Sequence, residues 1–116
     1  MGAIQTVVNQ LADLSRELDK AVAKLGELDA TRIAAEGDYK IAYSRAFRNA
    51  SGSVEDRKQQ ATEACDALWR TWSLAESTVY VHKAHLRALH ARVDVGRSIF
   101  SAHKTEVGLA QMGGAP

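Results

Sequence analysis

Proline is almost absent from this sequence of 116 residues, because Pro116 is the only one and no proline interrupts a helix before it. Aromatic residues make up only 6% of the chain, whereas alanine occurs 20 times. Short strands separated by glycine and proline, which are typical of β-sandwiches and α/β folds, do not occur. The composition therefore favours closely packed helices over a sheet core.

Cysteine, excess charge and long apolar runs are also scarce. The single cysteine, Cys65, excludes an internal disulfide and suits a reducing cytoplasm. The formal net charge of +1 excludes a uniformly basic surface but leaves room for a local basic patch. No apolar run approaches the roughly 20 residues that cross a membrane, and no charged start precedes an apolar segment. We therefore expect a cytoplasmic protein with no membrane contact and no signal peptide.

Apolar residues recur at steps of three and four along the first part of the chain, which is the repeat of a coiled coil. One charged residue, Arg32, interrupts this seam. The other members of the seam are Ile4, Val7, Leu11, Leu14, Leu18, Ala21, Leu25, Leu28, Ala35, Tyr39, Ala42 and Ala46. Turn-forming residues over 49–53 end the pattern, and Ser53 is placed to cap a new helix with Asp56 three residues later.

A second seven-residue repeat begins at Ala61 and continues to Ala110, with His82, Gly96 and His103 as its exceptions. Two long helices joined by a short connection are expected to lie antiparallel. The predicted fold class is therefore all-α, a long antiparallel two-helix hairpin that resembles a coiled coil.

The predicted organisation is a single helical hairpin domain over 1–107. Its helix 1 covers about 3–48, its turn covers 49–53 and its helix 2 covers about 54–107. Three glycines in 108–116 indicate a flexible tail.

Such a hairpin is too thin to bury its own apolar surface. A helix of about 45 residues is roughly 70 Å long, and two of them enclose no globular core. Large side chains such as Trp69 and Trp72 would stay partly exposed in a single hairpin. We therefore expect the hairpin to assemble into a homo-oligomer.

Positive charge concentrates on the second predicted helix. Residues 79–104 include five Lys or Arg residues and one acid, together with all four histidines. With the apolar seam at heptad positions a and d, the e positions form what we call the basic ridge: Lys83, His90, Arg97 and Lys104. These residues recur about every 10 Å and match the course of a phosphate backbone, with Arg87 and Arg92 extending the ridge to either side.

The same charges have a second interpretation, in which they pair with acids across the seam. With a turn near residue 51, three acids of helix 1 would lie opposite 83–89 and neutralise Lys83 and Arg87. These acids are Asp13, Glu17 and Asp19. Arg97 and Lys104 would then stay uncompensated.

Two aromatic residues near the turn are further candidates for nucleic-acid contact. Tyr43 and Phe47 lie among lysines and arginines, and aromatic rings among cations serve as platforms on which the bases of a single strand stack. The alternative is that both rings pack inside the hairpin.

Neither catalysis nor metal binding is indicated. The chain has no glycine-rich phosphate loop, no Ser–His–Asp arrangement and no paired-carboxylate pocket. His82 and His85 lie three residues apart, but no nearby acid completes a ligand set. We expect His82 and His103 to set the register of the seam, and we expect no enzyme activity, no metal and no cofactor.

Three segments, residues 36–47, 51–58 and 85–98, resemble short helical proteins from the replication and recombination regions of tailed bacteriophages. Those proteins in turn are similar to UvsY-type recombination mediators. The similarity covers roughly 11–106 and consists of a Tyr/Ala helix, a Ser/Gly turn and a long helix that ends in a basic stretch.

The resemblance implies an oligomer in the bacterial host cytoplasm that binds single-stranded DNA and helps a recombinase displace the single-strand-binding protein. By position, Arg87, Arg92, Arg97 and Lys104 correspond to the basic end of the long helix. The competing hypothesis is a structural or scaffolding coiled coil, such as a phage assembly factor, whose charges serve only helix pairing and which has no nucleic-acid ligand.

Overall fold

The computed structural model describes residues 2–113, which form three α-helices and no β-strand. Helix α1 covers Ala3–Asn49, α2 covers Val54–Ala64 and α3 covers Asp66–Gly113. The all-α class is confirmed, and so is the pairing of two long helices, because α1 packs against α3.

The structure divides the second predicted helix into α2 and α3. Cys65 lies between them with φ −106° and ψ 12°, well away from helical values. At its other end, α3 continues to Gly113 although the sequence predicted a flexible tail from residue 108. Glycine weakens a helix without terminating it as proline does, and the residues between Gly108 and Gly113 include good helix formers. The rest of the predicted tail, 114–116, lies outside the described residues.

The chain forms two compact units. The first unit combines Met1–Ala23 with Ala84–Pro116, of which the structure describes 2–23 and 84–113. The second unit is Lys24–Lys83, which includes the connection between α1 and α2 and all of α2.

The first unit is built on the predicted seams. Its buried apolar side chains are Ala21, Leu86, Leu89 and Val93, and Leu89 is only 1% exposed. Gly96 occupies a seam position directly against Leu11, because a Cβ at Gly96 would lie 2.6 Å from Leu11 Cδ2. The missing side chain therefore makes room for the leucine of the other helix.

This contact corrects the predicted register. With Leu11 against Gly96, α1 and α3 in this unit are offset by about five residues from a hairpin that turns at residue 51. Asp19 therefore lies about level with residue 88, where the sequence placed it near 83. The connection spans 50–53 and Cys65 interrupts the following helix. The heptad pattern of the sequence indicates neither the length of this connection nor the break at Cys65. Both of them set the register of α1 against α3.

The seam of α3 ends earlier than the sequence predicted. His103, Val107 and Ala110 are all exposed. Because Leu11 lies against Gly96, the start of α1 at Ala3 lies about level with residue 104, and no part of α1 continues beyond it.

The second unit packs small side chains and one aromatic stack. Ala35, Ala61, Cys65 and Val79 are its buried residues, and Leu68 is exposed although it belongs to the predicted seam. Tyr39 stacks on Trp72 with ring centroids 5.3 Å apart and an interplanar angle of 29°. The stack joins α1 to α3 in this unit.

The connection to α2 has the cap that the sequence predicted. Gly52 adopts φ 107°, a conformation that side chains disfavour, and Ser53 then begins the helix. The Ser53 hydroxyl accepts a hydrogen bond from the Asp56 backbone N–H at 3.1 Å. The Asp56 carboxylate in turn accepts one from the Ser53 backbone N–H at 3.2 Å. This reciprocal capping box is confirmed.

Replacing Ser53 by alanine leaves the Asp56 N–H without its acceptor, so we expect Ser53→Ala to reduce the free energy of unfolding by about 1 kcal/mol in urea titrations. Ser51→Ala is the matched control, because the Ser51 backbone carbonyl, which the substitution keeps, accepts the hydrogen bond from Gln60 at 2.8 Å. Equal stability of the two variants would contradict the role of the cap.

The contact at Gly96 generates a second prediction. Gly96→Val inserts a branched side chain against Leu11 and is expected to lower the free energy of unfolding by about 1–3 kcal/mol. Gly26→Val, at a helical glycine with nothing within 4 Å of an added Cβ, should change it by less than about 0.5 kcal/mol. Urea unfolding of both variants, followed by circular dichroism, checks this; equal losses would show that packing at Gly96 is not the cause.

Candidate nucleic-acid interface

Five of the predicted DNA-binding residues lie on α3 in the first unit. Arg87, His90, Arg92, Arg97 and Lys104 are all exposed. Within residues 2–113, none of the five lies in an ion pair with a carboxylate. Their charges are therefore available to an external anion.

Lys104 lies beside an aromatic ring of its own helix. Its ammonium nitrogen lies 5.8 Å from the centroid of the Phe100 ring, one helical turn earlier. A cation at that distance over an aromatic face is held weakly, by about 0.5–1 kcal/mol at an exposed site. The contact orients Lys104 without neutralising its charge.

The remaining ridge residue, Lys83, belongs to the second unit and has different surroundings. It is exposed, but it shares a groove with Asp29, Arg32, Glu76 and Tyr80. Two carboxylates in the same groove offset the attraction of Lys83 for a phosphate. Lys83 is therefore the weakest candidate among the lysines and arginines of the ridge.

The acids of α1 do not neutralise the ridge in the way the sequence suggested. Asp13 pairs with Arg16 on its own helix, three residues away. Asp13 and Glu17 instead border a groove of about 550 Å³ in the first unit, with Arg92 on its α3 side. The groove is otherwise lined mainly by apolar side chains, among them Leu14, Val95 and Ile99. Arg92 is therefore the ridge cation nearest to acidic side chains of α1.

Tyr43 and Phe47 lie together in the second unit, where they line a shallow groove with Arg48 and Lys58. Both rings are half-buried. The Arg57 guanidinium lies 4.4 Å from the Phe47 ring centroid and donates to the Phe47 carbonyl oxygen at 3.1 and 3.2 Å. One face of Phe47 is thus already occupied, and Tyr43 is the better platform for a base.

The charged exception in the α1 seam, Arg32, is accommodated by a network in the second unit. Its guanidinium donates to Asp29 at 2.8 Å and to Glu36 at 3.3 Å. Glu36 also binds Lys40 at 2.9 Å. The hydrogen bond to Asp29, with the charges of Asp29, Glu36 and Glu76, raises the pKa of Arg32. Sequence reasoning missed Glu76, whose charge reaches Arg32 from α3 and requires the register to be known.

Glu36 is held ionised by the same network. The hydrogen bond from Lys40, followed by the charges of Lys40 and Arg32, lowers the pKa of Glu36 below its ordinary value of 4.5. The ion pairs with Asp29 and Glu36 compensate the charge that Arg32 places on the apolar seam of α1.

The described residues show no sign of a metal centre or a membrane span. Within 2–113, no three His, Cys, Asp or Glu side chains lie close enough together to hold a metal ion. Across the same residues, none of the helices combines the length and apolar character needed to cross a bilayer.

Comparison of the chain with protein-family models, with curated proteins and with solved structures gives no significant match.

The lowered pKa of Glu36 predicts a pH dependence of stability. A carboxyl group whose pKa is lower in the folded state stabilises that state above its unfolded pKa, and this contribution is lost as pH falls through the folded pKa. We therefore expect Glu36→Gln to be less stable than the parent at pH 7, with the difference shrinking as the pH falls below about 4.5. Thermal unfolding as a function of pH measures it. Glu63→Gln, which alters an exposed glutamate outside these ion pairs, is the control. If the loss of stability in Glu36→Gln were the same in acid as at pH 7, the ion pairs of Glu36 would not be its cause.

Proposed function

We propose that this chain is a non-catalytic, homo-oligomeric protein that binds single-stranded DNA during phage recombination or replication. The observation that carries the proposal is the set of exposed α3 cations without carboxylate partners in the first unit. A helix face that only stabilised the hairpin would be expected to pair its cations with acids of the neighbouring helix.

The proposed mechanism is contact with the phosphate backbone. Arg97 and Lys104 lie seven residues apart on the same side of α3, about 10 Å along the axis, and His90 continues the row. Arg87 and Arg92 widen the basic surface. Such contacts read charge and spacing but not base sequence, so the binding is expected to be sequence-tolerant.

Oligomerisation makes this modest charge effective. The whole chain carries a formal net charge of only +1, so a single copy is a weak ligand for a polyanion. Several copies on one strand convert later contacts into intramolecular ones and raise the overall affinity. Tyr43 adds a stacking contact in the second unit where a strand reaches it.

The resemblance to UvsY-type mediators supplies the biological setting for this proposal. A mediator would hold the strand in the bacterial host cytoplasm while a recombinase replaces the single-strand-binding protein. Both of these proteins are proposed partners. No group on the chain is needed for a covalent step, since the role consists of binding and exchange.

The proposal predicts steeply salt-dependent binding to a fluorescently labelled oligothymidylate, measured by anisotropy. Four Lys and Arg contacts in the first unit give an expected slope of log K against log salt of about −3 per protomer. The double variant Arg97→Glu with Lys104→Glu should lose binding at low salt. Lys20→Glu with Lys24→Glu makes the same change in net charge on α1 and should keep most of it; equal losses would show that only total charge matters.

The scaffolding hypothesis keeps one observation in its favour, the large number of exposed apolar side chains. Leu74, Val81 and Met112, for example, are 70%, 63% and 77% exposed. A scaffold would bind no oligonucleotide at low salt, and charge reversal at Arg97 and Lys104 would change its oligomeric mass. Light scattering of the same variants separates the two functions.

A further inference from the structure

Outside the a and d seam, α3 carries a second apolar repeat in the first unit. It occupies the c and f positions of the heptad, about 160° around the helix from the a and d seam. We call its apolar members the outer stripe: Ala88, Ala91, Val95, Ala102, Leu109 and Met112. All six are exposed, and Val95, Leu109 and Met112 are 60%, 63% and 77% exposed. Ala91 and Val95 also line the groove that Leu11 and Leu14 of α1 border. An exposed row of apolar side chains along a helix is typical of an interaction surface.

The two polar residues of this repeat are uncharged. Ser98 and Thr105 complete the c and f positions between residues 88 and 112, and neither is charged. The Thr105 hydroxyl donates to the Ser101 carbonyl oxygen at 3.0 Å. Burying Thr105 would therefore leave no unpaired hydroxyl.

We infer that the outer stripe is the surface through which two copies of this chain associate, with their α3 helices antiparallel. The inference rests on the self-association in the proposed function and specifies its interface, but it does not depend on DNA binding. In an antiparallel pair, each c position faces an f position of the other copy. One register brings all eight positions into facing pairs: Ala88 with Met112, Ala91 with Leu109, Val95 with Thr105, and Ser98 with Ala102.

These facing pairs are complementary in size. The two largest side chains of the stripe, Met112 and Leu109, each face an alanine, and the central pair joins two small residues. Alternation of large and small residues lets helices approach closely and fills the space between them. The stripe is therefore shaped to fit a second copy of itself.

The flanking charges select the antiparallel orientation. In the register above, Arg92 lies beside Glu106 of the second copy, and the two-fold symmetry makes this attraction twice. In a parallel pair in register, Arg87 would lie beside Arg92 of the second copy, and that repulsion would also occur twice. Residues 84–113 contain two acids, Asp94 and Glu106. In the antiparallel register, Glu106 lies beside Arg92 of the second copy.

Association through the outer stripe leaves most of the basic ridge free. The e positions lie about 130° around α3 from the centre of the stripe. His90, Arg97 and Lys104 therefore stay exposed in the pair, and each pair presents two ridges. Arg87 and Arg92 border the contact between copies, and Arg92 also borders the groove that contains Asp13 and Glu17 of α1.

The first test is the oligomeric mass without DNA, measured by light scattering coupled to gel filtration. Val95→Glu places a charge in the stripe at an exposed position, so the chain should fold as judged by circular dichroism. Its self-association should weaken on the order of a hundredfold, because both copies would bury an unpaired carboxylate. Lys104→Glu, outside the stripe, should keep the parental mass. An unchanged mass for Val95→Glu would overturn the proposed interface.

Charge exchange tests the register. Arg92→Glu should weaken association about tenfold, since two attractions become two repulsions. Adding Glu106→Arg to the same chain should restore the parental mass. Failure of the second substitution to rescue the first would refute the pairing of Arg92 with Glu106.

Cross-linking tests the orientation. A mixture of Ser98→Cys and Ala102→Cys chains should form a disulfide between unlike chains, while Ser98→Cys alone should form little. Cys65 is 3% exposed and leaves the readout to the introduced thiols. Efficient self-cross-linking of Ser98→Cys would show a parallel pair and overturn the inference.

The results distinguish this inference from the proposed function. If Val95→Glu chains stay oligomeric, the proposed interface is refuted, but the measured oligonucleotide binding still supports the proposed function. Conversely, Arg97→Glu with Lys104→Glu chains that bind the oligonucleotide as well as the parent refute DNA binding by the ridge, whatever their mass.

Discussion

Close packing of small side chains along the a and d seam is the constraint on which the rest of this structure depends. In the first unit the seam closes around Leu89 and around the contact of Leu11 with Gly96. In the second unit it closes around Ala61, Cys65 and the stack of Tyr39 on Trp72. A seam of this kind uses only one side of each helix. The seam therefore determines which side chains of α3 stay exposed.

The electrostatics follow from that geometry. The polar exception on the seam, Arg32, is compensated by Asp29 and Glu36, which lie within one turn on the same helix. The α1 ion pairs are local in the same way, at spacings of three or four residues. Asp13, Asp29 and Glu36 are thus engaged along their own helix, whereas Glu17 and Asp19 form no ion pair within the residues that the structure describes.

The sequence predicted those features that depend on local pattern. The helix class, the start of α1, the capping box at Ser53 and the buried face around Leu86 all follow from composition, periodicity and turn residues. The register did not follow, because it depends on a four-residue connection and on the interruption at Cys65, which have no periodic signal. The acids near Arg92 were for that reason assigned to the wrong part of α3. The second apolar repeat of α3 is visible in the sequence, but only the structure shows that its members Val95 and Leu109 are exposed.

Both tryptophans of the chain, Trp69 and Trp72, belong to the second unit. Trp69 is 49% exposed, whereas the Trp72 ring packs on Tyr39 and its indole N–H is buried without a hydrogen-bond partner. Intrinsic fluorescence therefore follows the unfolding of this unit alone, while the far-ultraviolet ellipticity follows every helix. A mismatch between the two signals would reveal that the two units melt in separate steps.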